Sequence, residues 1–193
     1  MIQRIARSIL NSYYKPVESF LENPLDTQLR TLQYLLEHGH NTLYGKKMGL
    51  ANIKNYSGFN KNVPVISYEE LRPYLNKIIV DKKENVLWDT PVKWFAMSSG
   101  TTEDKSKYIP VTKESLYNGN YRAGYHMLGT YAVHHPETTF VLGKTLVMGG
   151  SQQVNMIGDS IYTGDISAIL MKNLPRAVKK RRTPEEIALL PDW

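Results

Sequence analysis

Cysteine is absent from the 193 residues, which excludes Cys-ligated zinc, iron–sulfur clusters, disulfide frameworks and cysteine nucleophiles. No apolar run approaches the roughly 20 residues that span a bilayer. The opening stretch from Met1 to Leu10 is broken by charge, and no small-residue cleavage site follows it, so it does not read as a secretory leader. Low-complexity segments and internal repeats are also missing. Neither sign of charge dominates: 24 Lys and Arg against 18 Asp and Glu leave +6, enough to attract anions but not in itself a nucleic-acid signature. The densest basic run, Arg176, Lys179, Lys180, Arg181 and Arg182, has no interleaved aromatics on which bases could stack and reads as a solvated turn. The expectation is a cytoplasmic protein that meets neither membrane nor nucleic acid.

What is present is ordinary for a globular chain, with 41% hydrophobic and 22% charged residues. The length suits one domain or a piece of one. Ile2, Ile5, Ile9, Tyr13, Val17, Phe20 and Leu21 fall at helical spacing, which predicts an amphipathic first helix packed on the body, with Pro16 as a kink or break. Pro24 and Asp26 start a second helix whose apolar face carries Leu29, Leu32 and Leu36, with Gly39 as its stop. A loop is expected from there to about Asn62, then an extended Val63-Pro64-Val65-Ile66. Ser67-Tyr68-Glu69-Glu70 is a capping box, and its helix is expected to reach Pro73 or slightly beyond. Strands are expected at Val86–Trp88, Val92–Met97, Tyr108–Val111 and Thr145–Met148, with one long helix from an N-cap at Thr112 to about Val133. Thr183-Pro184-Glu185-Glu186 reads as a second capping box. The mixture indicates an α/β or α+β architecture.

Few motifs carry chemistry. Gly39 to Lys47 looks like a phosphate-binding Walker loop, but its glycine spacing is one residue too long, Lys47 stands where Ser or Thr should hold magnesium, and no strand precedes it. The close histidine pairs, His38/His40 and His134/His135, lack the spacing that puts two metal ligands on one helix face. No metal site is expected from them. The remaining candidate is Ser98-Ser99-Gly100-Thr101-Thr102-Glu103-Asp104-Lys105-Ser106-Lys107, set between two apolar runs. Hydroxyls around one glycine, closed by lysines, suit a polyphosphate, because hydroxyls and backbone amides donate while ammonium groups neutralise charge. Gly100 would let the backbone approach closely. The same composition also makes an ordinary hairpin loop, and the residues alone leave both readings open.

Lys93-Trp94-Phe95-Ala96-Met97-Ser98-Ser99-Gly100-Thr101-Thr102, with the Lys-Ser-Lys-Tyr-Ile-Pro that follows, resembles the nucleotide-binding loop of acyl-adenylate-forming, firefly-luciferase-like enzymes. More narrowly, the chain resembles the auxin-responsive-promoter (Gretchen Hagen) family of acyl-acid amido synthetases, in its bacterial branch. The likeness extends through Asn41 to Lys47, Val63-Pro64-Val65, Asn85 to Trp88, Gly149-Gly150-Ser151 and Gly164 to Ile169, and so covers nearly the whole chain. Asp104 stands where the plant pattern has Gly, which adds a negative charge beside the loop. The resemblance implies an α/β fold, with residues 1–193 forming the amino-terminal part of the large adenylation domain, its mixed strands flanked by helices.

The activity it implies is ATP- and Mg2+-dependent activation of a small carboxylic acid as an acyl adenylate, followed by attack of an amine such as an amino acid. An acyl-CoA ligase or a non-catalytic interaction module are the alternatives. Ser98, Ser99, Gly100, Thr101, Thr102 and Lys107 would contact the nucleotide, and Arg122 and Tyr125 on the next helix would face the acyl substrate. The family's Tyr-x-Ser-Ser-Glu motif, its later aspartate motif and its mobile carboxy-terminal domain have no counterpart in the 193 residues. On this likeness the chain is an amino-terminal fragment, inactive alone and partnered by the carboxy-terminal part of the same enzyme.

Overall fold

The computed structural model describes residues 2–98, 107–140, 143–147 and 154–188. Helices α1 (Ile2–Glu22) and α2 (Pro24–Gly39) lead the chain. They are followed by the short α3 (Leu43–Met48), a 3-10 turn at Leu50–Asn52, α4 (Tyr56–Asn62) and α5 (Tyr68–Ile79). Strands β1 (Trp94–Ser98) and β2 (Lys107–Val111) come next, then a π-helical turn at Ser115–Tyr121 that runs into α6 (Arg122–His134). Strands β3 (Asn155–Ile157) and β4 (Ile161–Gly164) precede α7 (Ile166–Lys172), α8 (Arg176–Lys179) and α9 (Glu185–Ala188). The architecture is mixed α/β. Its four-stranded sheet has the order β2-β1-β4-β3, with β1 antiparallel to β2, β1 parallel to β4, and β3 antiparallel to β4.

The alternation of β1 explains the two cores. Phe95 points to one face and is fully buried against Leu75 and Ile78 of α5, Val86, Val92 and Ile161. Ala96 points to the other face, where Leu116 of the π-helical turn and Ile169 of α7 cover it. A strand buried on both faces reads as an unbroken apolar run, as Trp94-Phe95-Ala96-Met97 does. Trp94 also stacks on Tyr162, its register partner on β4, with ring centroids 4.7 Å apart. A third cluster, Leu36, Leu50 and Ile53, joins α2 to the 3-10 turn.

Several expectations change. The segment read as a loop up to Asn62 is largely helical. Thr42 caps α3 through Gly45 N–H (2.9 Å) and Asn55 caps α4 through Gly58 N–H (2.9 Å). Val86–Trp88 is not a strand: Tyr44 N–H of α3 donates to Val86 O (3.0 Å), and Leu43 N–H to the preceding Asn85 O (2.8 Å). Of Thr145–Met148, only Thr145 forms a bridge, to Arg182, and Met148 lies outside the described residues. Helix α5 accepts Pro73 inside it and continues to Ile79. Pro16 does not divide α1.

The first helix meets the body along a narrower line than its stripe suggested. Leu10 is buried and Tyr13 half-buried against α6, where Gly129 lets the helices touch: a Cβ there would stand 2.8 Å from the Leu10 carbonyl oxygen. Ile5, Ile9, Phe20 and Leu21 of the stripe stay exposed.

The capping box at Ser67 forms in full. Glu70 N–H donates to the Ser67 hydroxyl (3.3 Å), while Ser67 N–H (2.8 Å) and the hydroxyl (2.9 Å) donate to the Glu70 carboxylate. The bond from the Ser67 backbone, then that from its hydroxyl, holds the Glu70 carboxyl below the usual carboxylate range. The depressed folded-state value means this contribution is present above the unfolded pKa and fades as the pH falls through the folded one. Ser67→Ala is expected to cost about 1 kcal/mol at neutral pH, read as a lower urea midpoint with an unchanged m value; an unchanged midpoint would deny the box any role in stability.

Candidate active site

The two parallel strands set the position. Strand β1 ends at Ser98 and β4 ends at Gly164, paired in register through Ala96 and Gly164. In open α/β sheets ligands gather outside the carboxyl ends of parallel strands. Asp165 follows β4 directly and caps α7, accepting from Ser167 N–H (2.7 Å) and the Ser167 hydroxyl (2.8 Å). A cleft of about 540 Å³ opens at this end, bordered by Met97, Ser98, Ser115, Asn120, Asp165 and Ile166.

Ser98 and Lys107 face each other as the last register pair of the antiparallel strands β1 and β2. Ser99, Gly100, Thr101 and Thr102 lie outside the described residues. Lys107 is exposed, and its Nζ stands over the Tyr68 ring at 5.6 Å from the centroid. Tyr68 in turn accepts from Tyr108 N–H (2.8 Å) through its phenol oxygen. This contact directs the ammonium along the α5 side of the strand pair.

Arg122 and Tyr125 are placed differently from each other. Arg122 borders a second and larger cavity on the α1–α2 side of the π-helical turn. Tyr125 stacks on Tyr13 of α1, with centroids 4.9 Å apart and planes 16° from parallel. Burial, then the neighbouring Tyr13, pushes its phenol upward. The residues that the π-helical turn brings to the cleft beside Ser98 are Ser115 and Asn120, which are joined through Asn120 Nδ2 donating to Ser115 O (3.1 Å). Sequence reasoning did not single these out, nor Asp165 at the border of the cleft, nor Tyr68 as the ring beneath Lys107. The one available signal was Asp165-Ile166-Ser167, an acidic N-cap before a helix.

Next on the helix, Tyr121 donates to Leu170 O (2.6 Å), and burial, followed by Tyr117 and Tyr125, pushes its pKa up to about 12. It therefore stays a neutral donor that ties the π-helical turn to α7. Burial, and then Arg122, holds His126 below its ordinary value. Among the described residues no group of three or more His, Asp or Glu could hold a metal ion, and no helix is long and apolar enough to cross a membrane.

The chain is similar to known proteins in sequence and in fold. Over 100 residues the chain is 32% identical to indole-3-acetic acid-amido synthetase GH3.6 of Arabidopsis thaliana, covering 52% of this chain and 16% of that one. Over 174 residues it is 26% identical to jasmonoyl–L-amino acid synthetase JAR4 of Nicotiana attenuata, covering 86% and 29%. The structure of GH3.15 acyl acid amido synthetase superposes with a TM-score of 0.71 at 22% identity over 92% of this chain and 31% of that one. The chain thus spans under a third of the length of these relatives. The family profile described as the GH3 family N-terminal domain matches residues 13–193, and with nearly the whole length matched the chain belongs to the GH3 family.

Proposed function

We propose that the chain is the nucleotide-contacting part of an ATP-dependent acyl-acid amido synthetase. In the reaction, a carboxylate oxygen of the acid attacks the α-phosphorus of ATP and pyrophosphate leaves. The acyl adenylate is then attacked by an amine, such as that of an amino acid, giving an amide, AMP and a proton. The demand is for alignment and for stabilisation of developing phosphate charge, which donors and a cation can meet without a histidine base. Ser98, Ser99, Thr101 and Thr102 would donate to phosphate oxygens, Gly100 would admit the backbone, and Lys107 would supply charge, with Mg2+ arriving on the nucleotide. The acid would lie in the cleft beside Ser98, near Ser115 and Asn120. Tyr125, through its stack on Tyr13, and Arg122 beside it would position the helix that presents those residues.

The observation that carries this reading is the pairing of Ser98 with Lys107 at the carboxyl end of β1, beside the end of parallel β4. The same reading takes residues 1–193 as the amino-terminal part of one adenylation domain in a cytoplasmic enzyme. It also takes the chain as one of the family's bacterial branch. Calorimetric titration with ATP should give magnesium-dependent binding that Lys107→Ala weakens. Indifference to ATP at millimolar concentration would leave the segment a plain hairpin and the chain a non-catalytic module.

A further inference from the structure

A third cavity, of about 210 Å³, lies at the other end of the sheet. Lys93 and Ser160 in its wall directly precede β1 and β4. It therefore opens at the amino ends of the two parallel strands, whereas the cleft beside Ser98 opens at their carboxyl ends. Lys82, Lys83 and Glu84, from the segment after α5, line it together with Trp88. The volume is below the roughly 300–1,000 Å³ of sites that enclose whole organic ligands, and suits one compact group.

The wall is short of negative charge. Among the described residues none of Lys82, Lys83, Lys93 and Glu84 forms an ion pair, so three ammonium groups against one carboxylate leave +2 around the cavity. Trp88 adds an indole N–H that is buried without an acceptor among the described residues, and such donors are costly enough to be uncommon. Attraction to the carboxyl end of α5 favours cations at Lys82 and Lys83, but it does not account for Lys93, which arrives from a different segment.

The backbone points the same way. Among the described residues Lys82 and Asn85 are the non-glycine residues with positive φ, 53° and 54°. The left-handed residue that ends a helix is usually glycine, because a side chain is strained there. Lys83 N–H bonds back to Lys77 O (2.9 Å) across this turn, and glycine at 82 would make the turn without strain. The lysine held there instead carries its Nζ over the β3–β4 turn, 3.3 Å from where a Cβ on Gly158 would lie.

We propose that this cavity binds a phosphate group, free or at the end of a small phosphomonoester. A phosphate carries about −1.5 to −2 at neutral pH and so matches the charge of the wall, whereas a carboxylate would neutralise only half of it. Lys82 from the helix end and Lys93 from the strand start would hold the anion between them. Bound there, it would tie α5 to the start of β1 and would touch nothing at the cleft beside Ser98.

Inorganic phosphate and glycerol phosphate are the probes, each titrated into the full chain at constant ionic strength. Nitrogen–proton NMR follows the Lys83, Lys93 and Gly158 amides and the Trp88 indole. The expected result is a saturable shift of these signals at millimolar concentration, with no such shift when chloride replaces phosphate. Because bonds to charged groups are among the stronger ones, losing one lysine should weaken binding about tenfold, which Lys82→Gly and Lys93→Gln test separately. Lys82→Gly sits where glycine is preferred and should melt no lower than the unaltered chain. Lys93→Gln keeps the bond from Tyr162 N–H to the carbonyl of residue 93 (2.8 Å). Equal binding of the two probes would support a site for the phosphate group alone, and tighter glycerol phosphate would support an ester as its ligand. Lys107→Ala should bind phosphate as the unaltered chain does, even where it abolishes ATP binding, which keeps this proposal distinct from the nucleotide reading. Shifts that do not saturate, equal shifts with chloride, or undiminished binding by both lysine variants would overturn the proposal. So would loss of binding in Lys107→Ala, which would put the anion beside Ser98.

Discussion

Gly45→Ala is expected to be the most destabilising of the alanine substitutions at the described glycines. A Cβ at Gly45 would collide with the Gly39 carbonyl oxygen and stand 2.8 Å from its carbonyl carbon and 3.1 Å from the His40 Cα. All three are backbone atoms at the end of α2, so no side chain can swing aside. The end of α2 is also pinned from the other direction, because the buried Thr42 hydroxyl donates to Gly39 O (2.7 Å) while accepting from Gly45 N–H (2.9 Å). Relieving the clash means separating α3 from α2 and breaking both bonds. Overpacking usually costs about 1–3 kcal/mol, and with backbone on both sides the cost belongs at about 3 kcal/mol or above. For a chain of this length that lowers the melting temperature by about 6–12 °C. Gly124→Ala is the internal control: nothing lies within 4 Å of its added Cβ, and in a helix the change should be neutral or stabilising by up to about 1 kcal/mol. Thermal melts of the two variants should move apart. Melts that coincide would mean that α2 and α3 yield freely.

The same pair of glycines shows how far sequence reasoning reaches. Gly39 and Gly45 look like a phosphate loop, and spacing alone is enough to reject that. Their real role, two backbones in contact, leaves no periodic trace because it depends on a partner brought close by the fold. The short α3 is hidden for a related reason: its first amides bond to Asn85 O and Val86 O, some forty residues away in the chain. One of them uses Val86 O, in a segment apolar enough for a strand that is not one. Local chemistry was legible where it is self-contained. Ser67 and Glu70 satisfy each other within one turn, and Thr112 caps its helix through Ser115 N–H (3.0 Å). The strands on either side of the Ser98–Lys107 segment were legible from their apolar runs. The π-helical turn was not, since an apolar pattern does not distinguish it from the α-helix it extends, and it brings Ser115 and Asn120 to the cleft.

Three substitutions in the polar segment, Gly100→Ala, Thr101→Ala and Lys107→Ala, are expected to damage ATP use far more than stability when made in a protein of the family's full length. The contrast rests on what each side chain has to lose. Exposed loop positions away from special features change stability by about half a kcal/mol or less. Lys107 adds only its contact over the Tyr68 ring, worth about 0.5–1 kcal/mol at an exposed site. A bond to phosphate is charge-assisted and worth about 1.5–3 kcal/mol, so losing one should lower kcat/KM for ATP about ten- to a hundredfold. Gly100→Ala should be the most damaging of the three, because a Cβ would stand where the backbone is proposed to approach the phosphates. Acid-dependent pyrophosphate exchange measures the first half-reaction directly, and melting curves on the same preparations measure stability. Melting temperatures within a few degrees of one another alongside a large loss of exchange would support the nucleotide assignment. If all three variants exchange at full rate, the segment between Ser98 and Lys107 is a hairpin turn and the nucleotide must be held elsewhere.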